Sequence, residues 1–209
     1  MMLGTIILAG GKGNRIGGYK PIMRLGDRIL ISYVLEAASK VSDEAVVVVS
    51  RDDVKRIESL LPKDVKIAID IVSGGGPLIG VCSGLSHLNS DYAAVLPCDS
   101  PFIHEEVLRR LIIRADGMDA SIPFWPNGYM EPLHSIYKVR AALEACEAAM
   151  EEEEFRIYNM IEKLEKPIYV PMEELTVLDP ELLTFFNINS REDLKRAEEI
   201  LKSRSLKNY

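Results

Sequence analysis

With 209 residues, 47% of them hydrophobic and 27% charged, the chain is expected to form a single domain with a sizeable core over residues 1–204, followed by a short tail at 205–209. A net charge of −7 argues against broad nucleic-acid binding, and any anionic ligand would have to be met locally, by a metal ion and a few cations. No apolar run reaches bilayer length and no secretory leader pattern is present, so a soluble cytoplasmic protein with no membrane partner is expected; Cys82, Cys98 and Cys146 are scattered and read as buried thiols.

The first apolar run, residues 5–8, is a short continuous stretch of the kind that forms a buried strand. It feeds into Leu8-Ala9-Gly10-Gly11-Lys12-Gly13-Asn14-Arg15-Ile16-Gly17-Gly18-Tyr19-Lys20-Pro21. Five glycines between a strand and a lysine let backbone N–H groups turn inward around a polyphosphate, and Arg15 and Lys20 supply positive charge. This reads as a nucleoside triphosphate site. A P-loop is ruled out because Gly11-Lys12 runs into Gly13, where a magnesium-binding Ser or Thr is required. Gly11, Gly13 and Gly17 approximate a dinucleotide fingerprint, with Arg51 available for a 2′-phosphate. An NADP-dependent oxidoreductase therefore stays open here, as does a nucleotide-binding module without turnover. Pro21 is expected to keep Lys20 extended and aimed back at the phosphates, whereas Lys12 reads as a solvated charge.

Apolar and amphipathic stretches then alternate: a helix over 29–38, a strand over 45–49, a helix over 54–61 and a strand over 65–69 ending at Asp70. Four consecutive valines at 46–49 mark a strand covered on both faces, and the βαβαβ order implies a parallel sheet flanked by helices. A short helix to about residue 87 follows the glycine-proline segment at 74–77. Within it, Gly80-Val81-Cys82-Ser83-Gly84 imitates a nucleophile elbow but lacks the strand that must feed one, so helix packing is the reading. Next come a strand over 92–96, a helix over about 104–115, and strands over 120–123 and 134–137 separated by the turn Trp125-Pro126-Asn127-Gly128. Asp99, just past a strand's carboxyl end, is the leading magnesium candidate, since Mg²⁺ needs only one or two carboxylates together with substrate phosphates.

His87, His104 and His134 show no ligand spacing, and His134 reads as structural within its strand. Residues 139–165 read as helical, interrupted by the solvated run Glu151-Glu152-Glu153-Glu154. Ser190 and Asp193 form a capping-box variant opening a last helix over about 191–203.

The glycine-rich block resembles the start of the molybdenum cofactor guanylyltransferase family of the nucleotidyltransferase superfamily. The resemblance continues in Gly76-Pro77-Leu78-Ile79-Gly80, in Pro97-Cys98-Asp99-Ser100-Pro101-Phe102, in Glu131-Pro132-Leu133-His134-Ser135-Ile136-Tyr137 and in Phe186-Asn187-Ile188-Asn189-Ser190-Arg191-Glu192-Asp193-Leu194. It implies a three-layer α/β/α domain of the nucleotide-diphospho-sugar transferase type, with a Rossmann-like, mostly parallel, mixed sheet. It also implies a Mg²⁺-dependent transfer of GMP from GTP to the terminal phosphate of molybdopterin or Mo-molybdopterin, with transient contacts to cofactor-synthesis or molybdoenzyme proteins. Cytidylyl transfer to molybdopterin and guanylyl transfer to phospholactate or cobinamide phosphate are the neighbouring activities.

By the same resemblance Lys20, Arg15 and Asp99 are catalytic, with Asp99 also the metal ligand. Leu8, Ala9, Gly10, Gly11, Gly13, Lys20, Asp70, Gly80 and Asp99 line the nucleotide. Asp70 is placed to accept from N1–H and N2–H₂ of guanine, a donor pair that adenine lacks. Asn187, Asn189 and Arg156 are implied on the acceptor side, the two asparagines on one face of a strand. Read from the residues alone, Phe-Asn-Ile-Asn-Ser is equally a turn with capping side chains.

Overall fold

In the computed structural model, which describes residues 1–10, 17–70 and 76–207, the chain begins with β1 (Leu3–Leu8). A two-stranded ribbon of β2 (Arg24–Leu25) and β3 (Arg28–Ile29) comes next, then α1 (Leu30–Ser39), β4 (Glu44–Val49), α2 (Val54–Ile57) and β5 (Lys66–Ile69). After the undescribed residues 71–75 come α3 (Pro77–Leu85), β6 (Tyr92–Pro97), α4 (Glu105–Ala115), β7 (Ala120–Phe124) and β8 (Ser135–Lys138). The remainder is α5 (Val139–Glu151), α6 (Ile157–Glu162), β9 (Pro167–Pro171), α7 (Met172–Thr176) and α8 (Arg191–Lys207).

Seven strands form one sheet in the order β5-β4-β1-β6-β8-β7-β9. β1 runs parallel to β4 and β6, β4 to β5, and β7 to β9, while β8 is antiparallel to both β6 and β7. Reversing one strand between two others restores the original direction beyond it. The ends of β1, β4, β5, β6, β7 and β9 therefore all open on one edge, the place where open α/β sheets bind ligands.

The period-2 rule accounts for the layers. Ile7, Val47, Val49, Ala94 and Leu96 face one core with Ile31, Val34 and Ala38 of α1 and Val107, Leu108 and Leu111 of α4. Ile6, Val46, Val48, Ala93 and Val95 face the other, with Leu78, Val81 and Leu85 of α3 and Ala142, Ala145, Cys146 and Ala149 of α5. The sheet is thus covered on both faces, and the expected mixed three-layer fold is observed. All three cysteines are buried and free. Among the described residues no helix is long and apolar enough to cross a membrane.

Several local expectations are corrected. The helix expected over 54–61 is only one α-helical turn between 3₁₀ turns at Arg51–Asp53 and Glu58–Leu60, because Pro62 drives Leu61 to an extended conformation. The helix expected over 139–165 breaks after Glu151: Glu153 takes a left-handed conformation (φ 58°), and Glu151 to Glu154 are exposed as expected. β9, which was not expected, is an edge strand bracketed by Pro167 and Pro171, whose missing N–H groups cost least on an edge. The ribbon of β2 and β3 turns at Gly26 (φ 62°), and α8 continues to Lys207 rather than stopping near 203. The turn at 125–128 closes through Gly128 N–H to Trp125 O at 2.8 Å, but a 3₁₀ turn, Pro132–His134, intervenes before β8. His134 belongs to that turn and not to the strand. Asn187 and Asn189 likewise lie outside any strand, after a 3₁₀ turn at Leu183–Phe185.

The elbow-like Gly80-Val81-Cys82-Ser83-Gly84 is helix α3, as the packing reading required. A Cβ at Gly84 would sit 2.5 Å from Cγ2 of the fully buried Ile6. Gly84→Ala is expected to destabilise the protein by about 1–3 kcal/mol through overpacking, read from the denaturant midpoint, with the slope unchanged.

Candidate active site

The sheet ladder runs slightly past the strands and delivers three residues to the carboxyl edge. Ala9 N–H donates to Val48 O (2.8 Å), Cys98 N–H to Leu8 O (3.1 Å) and Asp70 N–H to Val49 O (2.9 Å). Gly10, Asp70 and Asp99 each directly follow one of these pinned positions or are themselves pinned.

Lys20 begins a 3₁₀ turn, Lys20–Ile22, so the extended residue is Tyr19 and not Lys20 as expected; Pro21 occupies the first turn, where its missing N–H costs nothing. From there the ammonium reaches across the edge. Nζ lies 2.6 Å from Asp99 Oδ2 and 2.6 Å from Asn189 Oδ1. Both members of the ion pair are mostly buried, with side chains 18% and 14% exposed, so the charge-assisted contact is formed away from bulk water. Asn187 is drawn to the same place by Ser100, whose hydroxyl donates to its Oδ1, and Ile188 N–H donates to Asp99 O at 2.9 Å. Asp193 caps this segment: its Oδ2 accepts from the N–H of Asn189 and from the N–H and hydroxyl of Ser190, while Asp193 N–H donates to Ser190 Oγ at 3.1 Å. Burial pushes the Asp193 carboxyl up, but these hydrogen bonds and the nearby Lys20 outweigh it and hold it below the usual range.

Asp70 stands across the edge between two glycines. A Cβ on Gly10 would lie 3.2 Å from Asp70 Oδ2, and one on Gly80 would lie 3.4 Å from Oδ1 and 3.1 Å from Leu8 Cδ2. Glycine at both positions keeps the space beside the carboxylate open. Among the described residues Oδ1 is buried without a hydrogen-bond partner, and desolvation pushes the Asp70 carboxyl above its ordinary value. An acceptor held dry and unpaired is suited to a ligand that brings N–H donors.

Of the expected site residues, the structure brings Lys20, Asp99, Asn187 and Asn189 into one cluster and sets Leu8, Gly10, Gly80 and Asp70 close together, with the buried Ala9 holding the edge between them. Arg156 is exposed and precedes α6, and the carbonyl of its neighbour Phe155 lies 3.6 Å from where a Cβ on Gly76 would sit. Gly11, Lys12, Gly13 and Arg15 lie outside the described residues. Two residues were not foreseen as site residues. Ser100 is fully buried and hidden in an ordinary Asp-Ser-Pro, and Arg191 opens α8 with Nη2 3.8 Å from a Cβ on Gly17, which places a cation beside the glycine segment.

Among the described residues no group of three or more His, Cys, Asp or Glu is placed to hold a metal. The single carboxylate Asp99 fits a magnesium ion that arrives with a polyphosphate and takes most of its ligands from phosphate and water.

Residues 5–167 match the MobA-like NTP transferase domain family. The chain belongs to this family. It is 34% identical over 201 residues to a protein of Methanocaldococcus jannaschii named probable molybdenum cofactor guanylyltransferase, covering 92% of this chain and 97% of that one. It is 32% identical over 200 residues to a protein of Desulfosudis oleivorans named molybdenum cofactor guanylyltransferase, covering 95% of each. The crystal structure of molybdopterin-guanine dinucleotide biosynthesis protein A from Archaeoglobus fulgidus superposes with a TM-score of 0.81 at 33% identity, covering 96% of this chain and 99% of that one. As a family member the chain is a nucleotidyltransferase, and the oxidoreductase reading of Gly11, Gly13 and Gly17 falls.

The Asp70 carboxyl makes stability depend on pH. Its folded pKa is raised, so the native state binds the proton more tightly than the unfolded chain, and the charged carboxylate lowers stability once pH rises above its folded pKa. Asp70→Asn is expected to leave the melting temperature at pH 7 unchanged or higher, and to remove a loss of stability seen in the parent as pH rises from the ordinary carboxylate range. A lower melting temperature in the variant would show instead that the carboxylate is a structural partner.

Proposed function

We propose that this protein transfers GMP from GTP to the terminal phosphate of molybdopterin, releasing pyrophosphate. The observation that carries the reading is the juxtaposition of Asp70, whose desolvated Oδ1 has no hydrogen-bond partner among the described residues, with the Lys20, Asp99 and Asn189 cluster at one sheet edge. It is supported by identity of about a third to proteins named for that activity over nine-tenths of the chain.

In this reading guanine enters beside Gly10 and Gly80, and the two oxygens of Asp70 accept from its N1–H and N2–H₂. The triphosphate then runs along the glycine segment, with Arg15 gripping the phosphates that leave. Lys20 exchanges part of its contact with Asp99 for phosphate oxygens, and Asn187 and Asn189 hold the acceptor phosphate from the opposite side. An acceptor phosphate oxygen attacks the α-phosphorus in line; the new P–O bond forms as the bond to the bridging oxygen of pyrophosphate breaks. Mg²⁺ held through Asp99 would supply charge neutralisation between the two phosphates. The protein's part is positioning and electrostatics, so no covalent intermediate on the chain is needed. The nearby thiol agrees: burial and then the Asp99 charge push Cys98 far up, which keeps it protonated and inert.

Pyrophosphate release measured across four nucleoside triphosphates and several phosphorylated acceptors tests this directly. Release with GTP and molybdopterin is expected; preference for CTP or for a phosphate acceptor without a pterin would move the chain to a neighbouring activity. Asp99→Asn is nearly isosteric and should lower turnover by about a hundredfold or more with the fold retained. Near-normal turnover at saturating Mg²⁺ would overturn the assignment of Asp99.

Lys20→Ala and Asn189→Ala separate the half-sites. Lys20→Ala should weaken GTP affinity in calorimetry without acceptor, through loss of a charge-assisted phosphate contact, on the order of 1.5–3 kcal/mol. Asn189→Ala should raise the KM for acceptor more than it weakens GTP. The reverse order for Asn189 would place the segment on the nucleotide instead.

A further inference from the structure

Behind the segment carrying Asn187 and Asn189 lies a buried polar chain that none of the roles above uses. The Ser100 hydroxyl donates to Asn187 Oδ1, and Asn187 Nδ2 is turned the other way, toward Phe185 O at 3.4 Å. A carboxamide oxygen only accepts, so the one hydroxyl proton is committed to it. Ser100 Oγ therefore accepts from His134 Nε2, 3.0 Å away, which fixes a proton on that nitrogen. The imidazole is 2% exposed and packs edge-on against Phe185, with ring centroids 5.3 Å apart. Its Nδ1 has no hydrogen-bond partner among the described residues and lies 3.7 Å from Glu131 Oε2, while Glu131 Oε1 accepts from Trp125 Nε1 at 2.7 Å.

A ring that served packing alone would be better replaced by leucine or phenylalanine, which leave no buried nitrogen stranded. The stranded Nδ1 points to the use of the opposite nitrogen. We infer that His134 is a positioning residue for the acceptor half of the site: its Nε2–H holds Ser100, Ser100 holds Asn187, and the segment through Asn189 is thereby pinned against Asp99. Two contacts carry the restraint onward, Ile188 N–H to Asp99 O at 2.9 Å and Asn189 Oδ1 to Lys20 Nζ at 2.6 Å. What the pinned segment binds rests on the guanylyl-transfer reading above; the pinning itself does not.

The test uses the full chain with His134→Ala, His134→Gln, Ser100→Ala and the Ser100→Ala/His134→Ala double variant. Glutamine keeps an N–H donor at the reach of Nε2. His134→Ala is expected to raise the KM for acceptor about fivefold to tenfold, the scale of one lost hydrogen bond, with GTP affinity by calorimetry changed less than about twofold. His134→Gln should recover most of that loss, and the double variant should be no worse than the poorer single variant, because both break one chain. Amide hydrogen exchange at Ile188 supplies a readout independent of turnover: protection falls in His134→Ala and returns in His134→Gln. Equal loss in both variants, additive losses in the double variant, or unchanged Ile188 protection would overturn the inference and leave His134 a packing residue. If the parent protein transfers no nucleotide while Ile188 protection follows the expected pattern, the positioning stands and the functional reading is what fails.

Discussion

The contact on which the site depends is the ammonium of Lys20 shared between Asp99 and Asn189, residues 79 and 169 positions away in sequence. In the proposed function, substrate phosphates come to the strand end where Asp99 sits, and an isolated carboxylate there would repel them. Lys20 cancels that charge in the absence of substrate and stays close enough to meet phosphate oxygens when they arrive. In a chain with a net charge of −7, this local compensation is what makes an anionic substrate admissible. The pair is largely desolvated, so the arrangement depends on each member having the other; removal of either leaves a charge without a partner.

The pair is held by packing that lies outside the two main cores. Leu25, Leu30, Phe102, Leu183, Ile188 and Ala197 form a third, smaller cluster that joins the ribbon of β2 and β3, the start of α1, the residues just after Asp99 and helix α8. Phe102 and Phe186 meet within it at 6.0 Å, and Arg196 and Arg204 of α8 lie over their rings. The late segment bearing Asn187 and Asn189 is thus fastened to the sheet edge by apolar burial first. Hydrogen bonds to Asp99 O, Ser100 and Asp193 then set its register.

Most of this framework was legible in the sequence because burial writes periodicity. Continuous apolar runs gave β1, β4 and β6, and amphipathic spacing gave α1 and α4. The Ser190 and Asp193 cap was readable because its chemistry is local. What escaped depended on distant context. β9 is flanked by prolines that read as breakers until the strand is known to lie at an edge with one neighbour. The break at Glu153 looks like any polar stretch of helix until its left-handed backbone is seen. In the site, Asp99, Lys20 and Asp70 were found from motif blocks and strand ends, whereas Ser100 and His134 meet only because β8 returns beside β6, a pairing with no local signature.

The unpaired groups divide in a way that follows from the proposed chemistry. Among the described residues Asp70 Oδ1 has no donor, at the point where in the proposed function a base would bring donors, and desolvation raises its carboxyl. Cys98, one residue from Asp99, is instead driven to its neutral form by burial, which removes a nucleophile from beside the phosphates. One environment keeps a group open to ligand and the other keeps a group silent, though both are set by desolvation at strand ends on the same edge of the sheet. The difference lies in the direction of exposure: Asp70 borders glycines that leave a path for ligand, whereas Cys98 turns into the core with Ala9 and Tyr19. Selectivity between reactive and inert groups at this edge is therefore a matter of which side of the strand each residue occupies, a consequence of the same period-2 alternation that builds the sheet.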